Sequence, residues 1–581
     1  MRKSLALTRA AIGLVQGIAL YLLYHAFDAK TWPATDGQVF APLLLVSVFI
    51  PAIAIAGSGN LRPRCFVVWM IAATAALAGL GAYDIFQASP VIGISSQPSR
   101  NVPQSALWFA SAAGLFIAHA LIVAGDADRR LVAGYRSYFD AAWKHGVQMV
   151  LAGLFVGAFW ALLFLGAGLF DLIKIDYLAE LIKKPWFAIP ATSLAVAYAV
   201  HVTDVHAGIV RGVRTLGLTL LSWLLPMMAA IAVVFLAALI FTGLEPLWST
   251  RRATSVLLLA AASLIVLVNA AYQDGDPEHP VAHVLRYPGF AATVALTPLV
   301  AIAGYAVALR VGQYGWTPER IIASACVVVA ACYALGYGLA VFSGGPWMKR
   351  IEVTNIFTAF VILALLLALF SPVADPARIA AADQVARLES GRIAPDKFDY
   401  AFLRFRSGRY GQQALDRLRM KQDGPDAARI AANANAAFAA KMPSELQRRI
   451  DGPASVERAA NIAVIYPKGQ ALPANFLEQD WNAAPDQWRH PRCMTANVKC
   501  DAMVLDLDGD GKPEILIFNG PSGVVAYRQT DEKWRLLGDV VNAHCKGVRE
   551  ALLAGHFELV TPESKELRAA GQRLFVQPVC R

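Results

Sequence analysis

The sequence contains little charge. Only 16% of its 581 residues are Asp, Glu, Lys or Arg, whereas soluble domains contain about 25%. It also lacks the short motifs of several enzyme classes, because no Walker loop, nucleophile elbow, Cys-x-x-Cys pair or His-Glu-x-x-His pattern occurs. These absences exclude a P-loop nucleotide hydrolase, an α/β-hydrolase and a zincin protease. The sequence therefore favours a non-enzymatic role, although it leaves the question of an enzyme open.

The charge that is present lies mostly toward the C-terminus. Residues 1–374 contain 23 Lys or Arg and 16 Asp or Glu, about 10% of their positions. Residues 375–581 contain the other 29 and 26, about 27% of theirs. The first part has the composition of a membrane domain and the second that of a soluble domain. An apolar run ends at a proline-rich step at residues 371–376, which marks the boundary.

Long basic blocks are absent as well. The formal net charge is +10, and a positive charge of this size can indicate a nucleic-acid partner. Seven of the ten units lie in residues 1–374, and basic and acidic residues alternate in the rest of the chain. We therefore expect no nucleic-acid partner and attribute the positive excess to membrane topology.

Long hydrophobic runs are abundant. A helix that crosses about 30 Å of hydrocarbon needs about 20 mostly apolar residues, because its backbone must satisfy its own hydrogen bonds there. Eleven such runs occur, near residues 8–27, 38–57, 65–83, 106–124, 147–170, 187–204, 216–242, 254–272, 289–310, 320–342 and 354–373. The sequence thus predicts an all-α, polytopic helical bundle of about 11 transmembrane helices over residues 1–374, with the lipid bilayer as its partner.

The basic residues of the loops predict an orientation. Loops on the cytoplasmic side of a membrane are enriched in Lys and Arg. With the N-terminus inside, 14 such residues fall on the cytoplasmic side and nine on the other. An odd number of spans then places the tail outside the cytoplasm. We therefore expect a multi-pass protein of the bacterial cytoplasmic (inner) membrane with a cytoplasmic N-terminus and a periplasmic C-terminal domain.

The few cysteines fit this orientation. Three of the seven, Cys65, Cys326 and Cys332, lie in or beside the predicted spans and are typical of inert apolar positions. An even set of four in an extracytoplasmic domain indicates disulfides, with three possible pairings. Free thiols and a metal site are the alternatives. These four residues are Cys493, Cys500, Cys545 and Cys580.

Ionisable side chains within the spans are candidate functional residues, because burying them in lipid is costly. His201 and Asp204 lie three residues apart and share a helix face, where the carboxylate can hold or tune the imidazole. His206 follows closely. A proton relay or a metal site is one interpretation. The alternative is an ordinary span end, where polar residues cost little. His119 stands alone and is more typical of an interhelical hydrogen bond.

The soluble tail divides into two parts. Residues 375–441 are predicted to be helical, and the aromatic stripe at 398–405 recurs on one helix face, as a core or docking face does. Residues 442–581 are predicted to form a small α+β domain. Residues 442–500 indicate connections with little regular structure. Strands are then expected at 503–505, 515–518, 523–527 and 534–537, a helix near 547–554 and a last strand near 573–579.

The turn at 506–514 is the most specific local motif. Ca²⁺ prefers about six to eight oxygen ligands from a flexible loop, and Gly511 allows the tight turn that makes such ligands converge. Ile517 occupies the position where a helix-loop-helix hand would have a bidentate Glu, so the motif is typical of the shorter calcium loops of extracellular β proteins. A metal-free acidic turn is the alternative. The sequence therefore predicts one structural Ca²⁺, held by Asp506, Asp508, Asp510, the Lys512 carbonyl and Glu514.

Several stretches also resemble a known family. These are VTDVHAG at 202–208, LEPLW at 244–248, NAAYQDG at 269–275, YGWTPER at 314–320 and LRFRSGR at 403–409. In these stretches the chain resembles the bacterial polytopic inner-membrane proteins of domain-of-unknown-function family 4153. The resemblance implies a polytopic membrane architecture and no assigned activity, so it supplies no catalytic residues.

Three classes of function remain. The first is a transport or envelope component, which many spans with buried His and Asp would suit. The second is a membrane-embedded enzyme acting on lipid or lipid-linked substrates, with Arg320 among outer-loop residues that can grip phosphate. An interfacial basic and aromatic belt explains Arg320 equally well. The third is a periplasm-sensing or assembly factor. The sequence favours the first class.

Overall fold

The structure is a computed structural model. It describes the chain except for residues 1, 90–99, 250–251, 276–281, 343–347, 444, 447–457, 482–488, 495–497, 520–522, 532, 544, 546, 562–566, 570–571 and 575–581. The chain folds as two compact units, Met1–Pro443 and Ser444–Arg581.

The first unit is built from long apolar helices. Within the described residues, eleven helices are long and apolar enough to cross a membrane, which confirms the predicted polytopic helical bundle. These are α1 (Arg2–Asp28), α2 (Gly37–Gly57), α3 (Pro63–Ala88), α4 (Ser105–Asp128), α5 (Tyr135–Asp171), α7 (Pro185–Val205), α8 (Ala207–Thr242), α10 (Ala253–Tyr272), α11 (His283–Tyr314), α12 (Pro318–Val341) and α13 (Ile351–Leu369). Two short helices, α6 (Tyr177–Lys183) and α9 (Glu245–Ser249), lie between spans.

Glycine sets the closest helix contact in the first half of this unit. A Cβ atom added at Gly13 would lie 2.6 Å from Cβ of Ala197, and one at Gly17 would lie 2.4 Å from Cα of Pro190. Helices α1 and α7 therefore touch backbone to backbone, as small residues allow in membranes. The contact also brings the start of α1 to the end of α7. By contrast, a Cβ added at Gly157 of α5 would meet nothing within 4 Å.

The second half of the bundle packs around a continuous apolar core. Buried small and branched residues of α8, α10, α11 and α12 alternate there, among them Leu225, Ala261, Leu296 and Ala303. A closed set of hydrogen bonds lies beside this core. Asn269 Nδ2 donates to the Tyr337 hydroxyl (2.7 Å), which donates to Asn355 Oδ1 (2.8 Å), and Asn355 Nδ2 donates to Asn269 Oδ1 (2.6 Å). The buried Tyr337 hydroxyl and the two half-buried amides are thus hydrogen-bonded within the bundle.

The helical segment after the last span belongs to the first unit. It contains α14 (Pro376–Glu389), a 3₁₀ turn (Pro395–Lys397), a π-helical turn (Phe402–Arg406), α15 (Gly408–Arg419) and α16 (Ala427–Ala439). The hydroxyl of Tyr83 in α3 donates to Asp375 Oδ2 (2.7 Å), the N-cap of α14. The aromatic stripe at 398–405 is largely buried, with Tyr400 only 1% exposed. It therefore forms a core, as its spacing predicted.

The second unit contains a five-stranded sheet in the order β1-β2-β3-β4-β5. Its strands are β1 (Ile462–Tyr466), β2 (Cys500–Leu505), β3 (Glu514–Asn519), β4 (Gly523–Thr530) and β5 (Lys533–Asp539). Short helices α17 (Arg458–Asn461), α18 (Ala474–Glu478) and α19 (Val548–Ala554) and a hairpin of β6 (Leu567–Ala569) and β7 (Gln572–Leu574) complete the described part. The four predicted strands at 503–537 and the helix near 547–554 are confirmed. The prediction of little regular structure over 442–500 was wrong at β1, which pairs parallel to β2.

Both faces of this sheet are covered. Phe476, Trp481 and Tyr527 pack on one face with ring centroids 5.0–5.5 Å apart. A disulfide joins Cys493 to Cys500 at the start of β2. Cys545 is also disulfide-bonded, and Cys580, the fourth cysteine of the predicted set, lies outside the described residues. Of the described cysteines, the three in the membrane unit are free.

Candidate functional site

Asp204 stands at the centre of a polar cluster inside the membrane unit. It is the penultimate residue of α7, and its two carboxylate oxygens contact cations from two other helices. Oδ2 accepts from Arg9 Nη2 of α1 (2.8 Å), and Oδ1 pairs with Lys144 Nζ of α5 (2.7 Å). The close contact of α1 with α7 is what brings Arg9, 195 positions away in the chain, to this carboxylate.

Arg9 is the most deeply buried charge of the cluster. Its side chain is 1% exposed, and it donates from Nε to Ser58 Oγ (3.1 Å) and from Nη2 to the Ser58 carbonyl (2.7 Å). Ser58 is the C-cap of α2, so the guanidinium also satisfies that helix end. Its Nη1 has no hydrogen-bond partner among the described residues. Lys144 donates further to Asn60 Oδ1 (3.2 Å). Two cations thus share one carboxylate, which leaves an excess positive charge.

Two histidines lie next to this ion cluster. The rings of His119 in α4 and His145 in α5 are 4.8 Å apart, centroid to centroid, and both are buried. Trp69 Nε1 donates to His119 Nδ1 (3.1 Å), so a neutral His119 must carry its proton on Nε2. Within the described chain, His119 Nε2 and both ring nitrogens of His145 have no hydrogen-bond partner.

The predicted residues of this region are only partly brought together. His201 shares α7 with Asp204, but the carboxylate is engaged by the two cations, and His201 Nδ1 has no hydrogen-bond partner among the described residues. His206 is exposed at the helix end, with Nδ1 3.0 Å from the Val202 carbonyl. Sequence reasoning missed Arg9 and Lys144, which it treated as loop charges. The adjacent Lys144-His145 pair, directly before the apolar run at 147–170, is the signal that could have indicated Lys144.

Arg320 has a local structural role. It lies in the first turn of α12. Its Nη1 donates to the carbonyl of Gly315 (2.5 Å), and Gly315 is the C-cap residue of α11. Its guanidinium also lies 5.5 Å from the ring centroid of Tyr314. These contacts join the end of one span to the start of the next.

The acidic loop of the second unit connects β2 to β3. Carboxylate oxygens of Asp506, Asp508 and Glu514 lie within 4.8 Å of one another. Gly509 (φ 75°) and Gly511 (φ 81°) take the left-handed conformation that the tight turn requires. Asp510 is not part of this group, and its Oδ1 accepts from the Lys512 backbone N–H (2.8 Å).

A basic residue unforeseen in the sequence contacts this loop. Arg528 of β4 pairs with Asp508 Oδ2 (2.8 Å) and, through Nε, with Glu514 Oε1 (2.7 Å). Its hydrogen bond to Glu514 raises the pKa of the Arg528 guanidinium. The register of the antiparallel strands β3 and β4 explains the contact. Ile515 lies opposite Tyr527, so Glu514, which precedes Ile515, lies close to Arg528, which follows Tyr527. The loop charges are therefore partly balanced within the protein.

Comparison with known proteins identifies the family alone. Searches of curated proteins and of solved structures find no match to this chain. The sequence model of a family described as "Domain of unknown function (DUF4153)" matches residues 17–418, more than two thirds of the chain. The match includes all of α2 to α14 and with them Asp204, Lys144, His119 and His145, but it begins after Arg9. The chain is an integral, multi-pass membrane protein and belongs to the DUF4153 family.

Proposed function

We propose that this protein is a transport component of the bacterial cytoplasmic membrane, and that the Asp204 cluster carries its coupling proton. The observation that carries the proposal is the network that joins the buried Arg9 to the partly buried Asp204 and Lys144, beside the buried His119–His145 pair. Ionisable groups are retained within membrane helices mainly along ion or proton pathways, because their burial is otherwise destabilising.

The network has two states that a proton can select. An ionised Asp204 holds Arg9 of α1 and Lys144 of α5 together through one carboxylate. Protonation of Asp204 would remove its charge and leave two cations that repel each other. Helices α1 and α5 would then favour a wider separation. The neighbouring imidazoles would relay that proton through ring nitrogens that have no hydrogen-bond partner among the described residues.

Uptake by cells tests this proposal. A deletion strain carrying the wild-type gene is compared with one carrying Asp204→Asn, which keeps an oxygen that can accept from Arg9. We expect the variant to reach the membrane in normal amount and to lose uptake of the compound that the wild type restores. Asp126→Asn is the matched control. Asp126 is also buried at a helix end, but it forms its ion pair with a different cation, Arg62 (2.7 Å).

Proton movement is measured next. Proteoliposomes that enclose a pH-sensitive dye should acidify when that compound moves through wild-type protein, and not through Asp204→Asn. Equal proton flux in both proteins would contradict the proposal. A changed lipid composition in the deletion strain, with all uptake unchanged, would instead favour an enzyme that acts on lipid.

We also propose that the second unit lies in the periplasm. The basic-residue count of the loops and the odd number of spans support this orientation. The Cys493–Cys500 disulfide supports it independently, since disulfides persist in oxidising compartments. A reporter that works only in the periplasm, fused after Arg581, should be active. Activity of a cytoplasm-only reporter at that position would reverse the orientation.

We propose, third, that the loop at 506–514 binds one structural Ca²⁺. Three converging carboxylates on a glycine-containing turn support this, with Asp510 and the Lys512 carbonyl as further ligands after a small rearrangement. Sites of extracellular modules bind with Kd of about 10⁻⁴–10⁻³ M. Ca²⁺ at about 100 times its Kd stabilises a fold by about 2.7 kcal/mol. Calorimetry of the full chain should therefore show a higher melting temperature for the second unit, and the Asp508→Ala/Asp510→Ala variant should not. An equal gain in both would exclude the site.

A further inference from the structure

A second site lies in the membrane unit, away from the Asp204 cluster. Helices α4, α10, α12 and α13 enclose a groove of about 1070 Å³. Small-molecule sites usually measure about 300–1,000 Å³, so this groove accommodates a ligand of considerable length. Its walls are almost entirely apolar over the depth of the spans and include Phe109, Ala262, Val329 and Leu366. Phe109 is 77% exposed, so surrounding acyl chains can reach the groove from the side.

Most of the polar side chains that line the groove lie at one end. Asp84, Gln87 and Gln104 meet Asp375 and Arg406 there. This end lies where α3 ends and where α4, α12 and α14 begin. The groove therefore has the polarity of an amphipathic molecule, with an apolar body at membrane depth and a polar group at one surface.

The polar end is suited to an anionic group. The N-termini of α4, α12 and α14 meet there. Thr317 caps α12 and the Asp375 carboxylate caps α14, so of the three only the N-terminus of α4 lacks a capping side chain. Gln104, the N-cap of α4, makes no side-chain capping hydrogen bond. Arg406 adds a guanidinium that is 60% exposed and that pairs with the equally exposed Glu319. A phosphate can take the place of such an exposed carboxylate, since guanidinium binds both in the same geometry.

A buried hydrogen-bond acceptor faces the same end. The Asp84 side chain is 3% exposed, and its Oδ2 accepts from Arg100 Nη2 (2.5 Å) and from the Gln104 backbone N–H (3.0 Å). Its Oδ1 is buried and has no hydrogen-bond partner among the described residues. A buried carboxylate oxygen without a donor is destabilising. A ligand that brings an N–H group to this position would therefore bind favourably.

We propose that the groove is a binding site for phosphatidylethanolamine. Its acyl chains would lie along the apolar walls, its phosphate at Arg406 and the N-terminus of α4, and its ammonium group at Asp84. The phosphate would pair with the exposed Arg406 guanidinium, and the ammonium would supply the N–H donor that Asp84 Oδ1 lacks among the described residues. Phosphatidylcholine, whose methylated amine has no N–H, should bind less well.

Lipid titration of the full chain tests the proposal. The protein is purified in detergent, freed of lipid, and examined by native mass spectrometry with phosphatidylethanolamine or phosphatidylcholine of identical acyl chains. We expect about tenfold tighter binding of the ethanolamine lipid, the effect of one charge-assisted hydrogen bond. Equal binding of the two lipids to the wild type would overturn the assignment.

Two pairs of variants locate the site. Ala262→Phe fills the groove and should abolish the bound lipid, whereas Ala161→Phe, on an exposed position of α5 outside the groove, should not. Arg406→Gln should weaken binding by about tenfold. Arg429→Gln, which removes another exposed, ion-paired Arg of the same helical segment, should leave it unchanged. Because Arg406 is exposed, its variant keeps the test valid if the groove-filling protein does not fold. Undiminished binding in Arg406→Gln would refute the proposed headgroup position.

Discussion

Replacing Asp204 with leucine would leave Arg9 as a buried cation without a carboxylate. Breaking a buried ion pair by removing one partner costs about 3–5 kcal/mol. The lower end applies here, because Arg9 keeps two hydrogen bonds to Ser58. Lys144 adds little to this free-energy cost, because its side chain is 33% exposed and can move its ammonium toward water. We therefore expect Asp204→Leu to lose about 3 kcal/mol, about a hundredfold in the folding equilibrium.

The double variant Arg9→Met/Asp204→Leu separates stability from function. Replacement of a whole buried pair by apolar residues of similar volume is often neutral or stabilising. We expect the double variant to return to within about 1 kcal/mol of the wild type, because the buried guanidinium is gone and the remaining cation, Lys144, is 33% exposed and can reach water. Uptake should stay lost, because the proposed proton carrier is absent.

Reversible unfolding in mixed micelles, followed by tryptophan fluorescence, measures the free energies, and uptake is measured in complemented cells. A loss below about 1 kcal/mol for Asp204→Leu would mean that Arg9 does not depend on this carboxylate, as at exposed pairs. Recovery of both stability and uptake in the double variant would show that the charges serve packing alone.

Three further predictions concern other parts of the chain. Gly17→Ala should lower the melting temperature, since overpacking costs about 1–3 kcal/mol and the added Cβ would lie 2.4 Å from Pro190, whereas Gly157→Ala in open space should not. Tyr337→Phe should cost about 1–3 kcal/mol in an unfolding titration, because the half-buried amides of Asn269 and Asn355 each lose a hydrogen bond; Tyr333→Phe is the control. Arg528→Gln should tighten Ca²⁺ binding about two- to fivefold in calorimetric titration, the value of an exposed ion pair. Arg535→Gln, opposite it on β5, makes the same charge change without those contacts.

The spans were predictable because the bilayer imposes a length and a composition on each helix separately. Which of these helices pack against each other was not predictable. The contact of α1 with α7 joins segments almost 200 residues apart, and only the packing surfaces decide it. Arg9 illustrates the consequence. In the sequence it is one basic residue near the N-terminus, but the glycine-mediated contact with α7 buries it against Asp204. The candidate site was therefore recognised by one residue and completed only by the fold.

The sheet of the second unit shows the same limit at a smaller scale. Strands β2 to β5 follow one another as hairpins, so their apolar alternation and turns identify them locally. Strand β1 is short, lies among proline-containing stretches and pairs in parallel with β2 from a distance. The Arg528 contacts likewise depend on the register of β3 against β4. The motif at 506–514 predicted the acidic turn but not the guanidinium that balances it.

The ion pairs of the bundle also bear on its proposed orientation. A Lys or Arg that is held by a buried carboxylate is fixed by packing and is a weaker topological signal than a free loop charge. Arg9 and Lys144 are held by Asp204, Arg62 by Asp126, and Arg100 by Asp84. Without these four, the count of 14 against nine becomes 11 against eight. The cytoplasmic side still has more basic loop residues, but the excess is smaller. The Cys493–Cys500 disulfide is therefore the stronger support for a periplasmic tail.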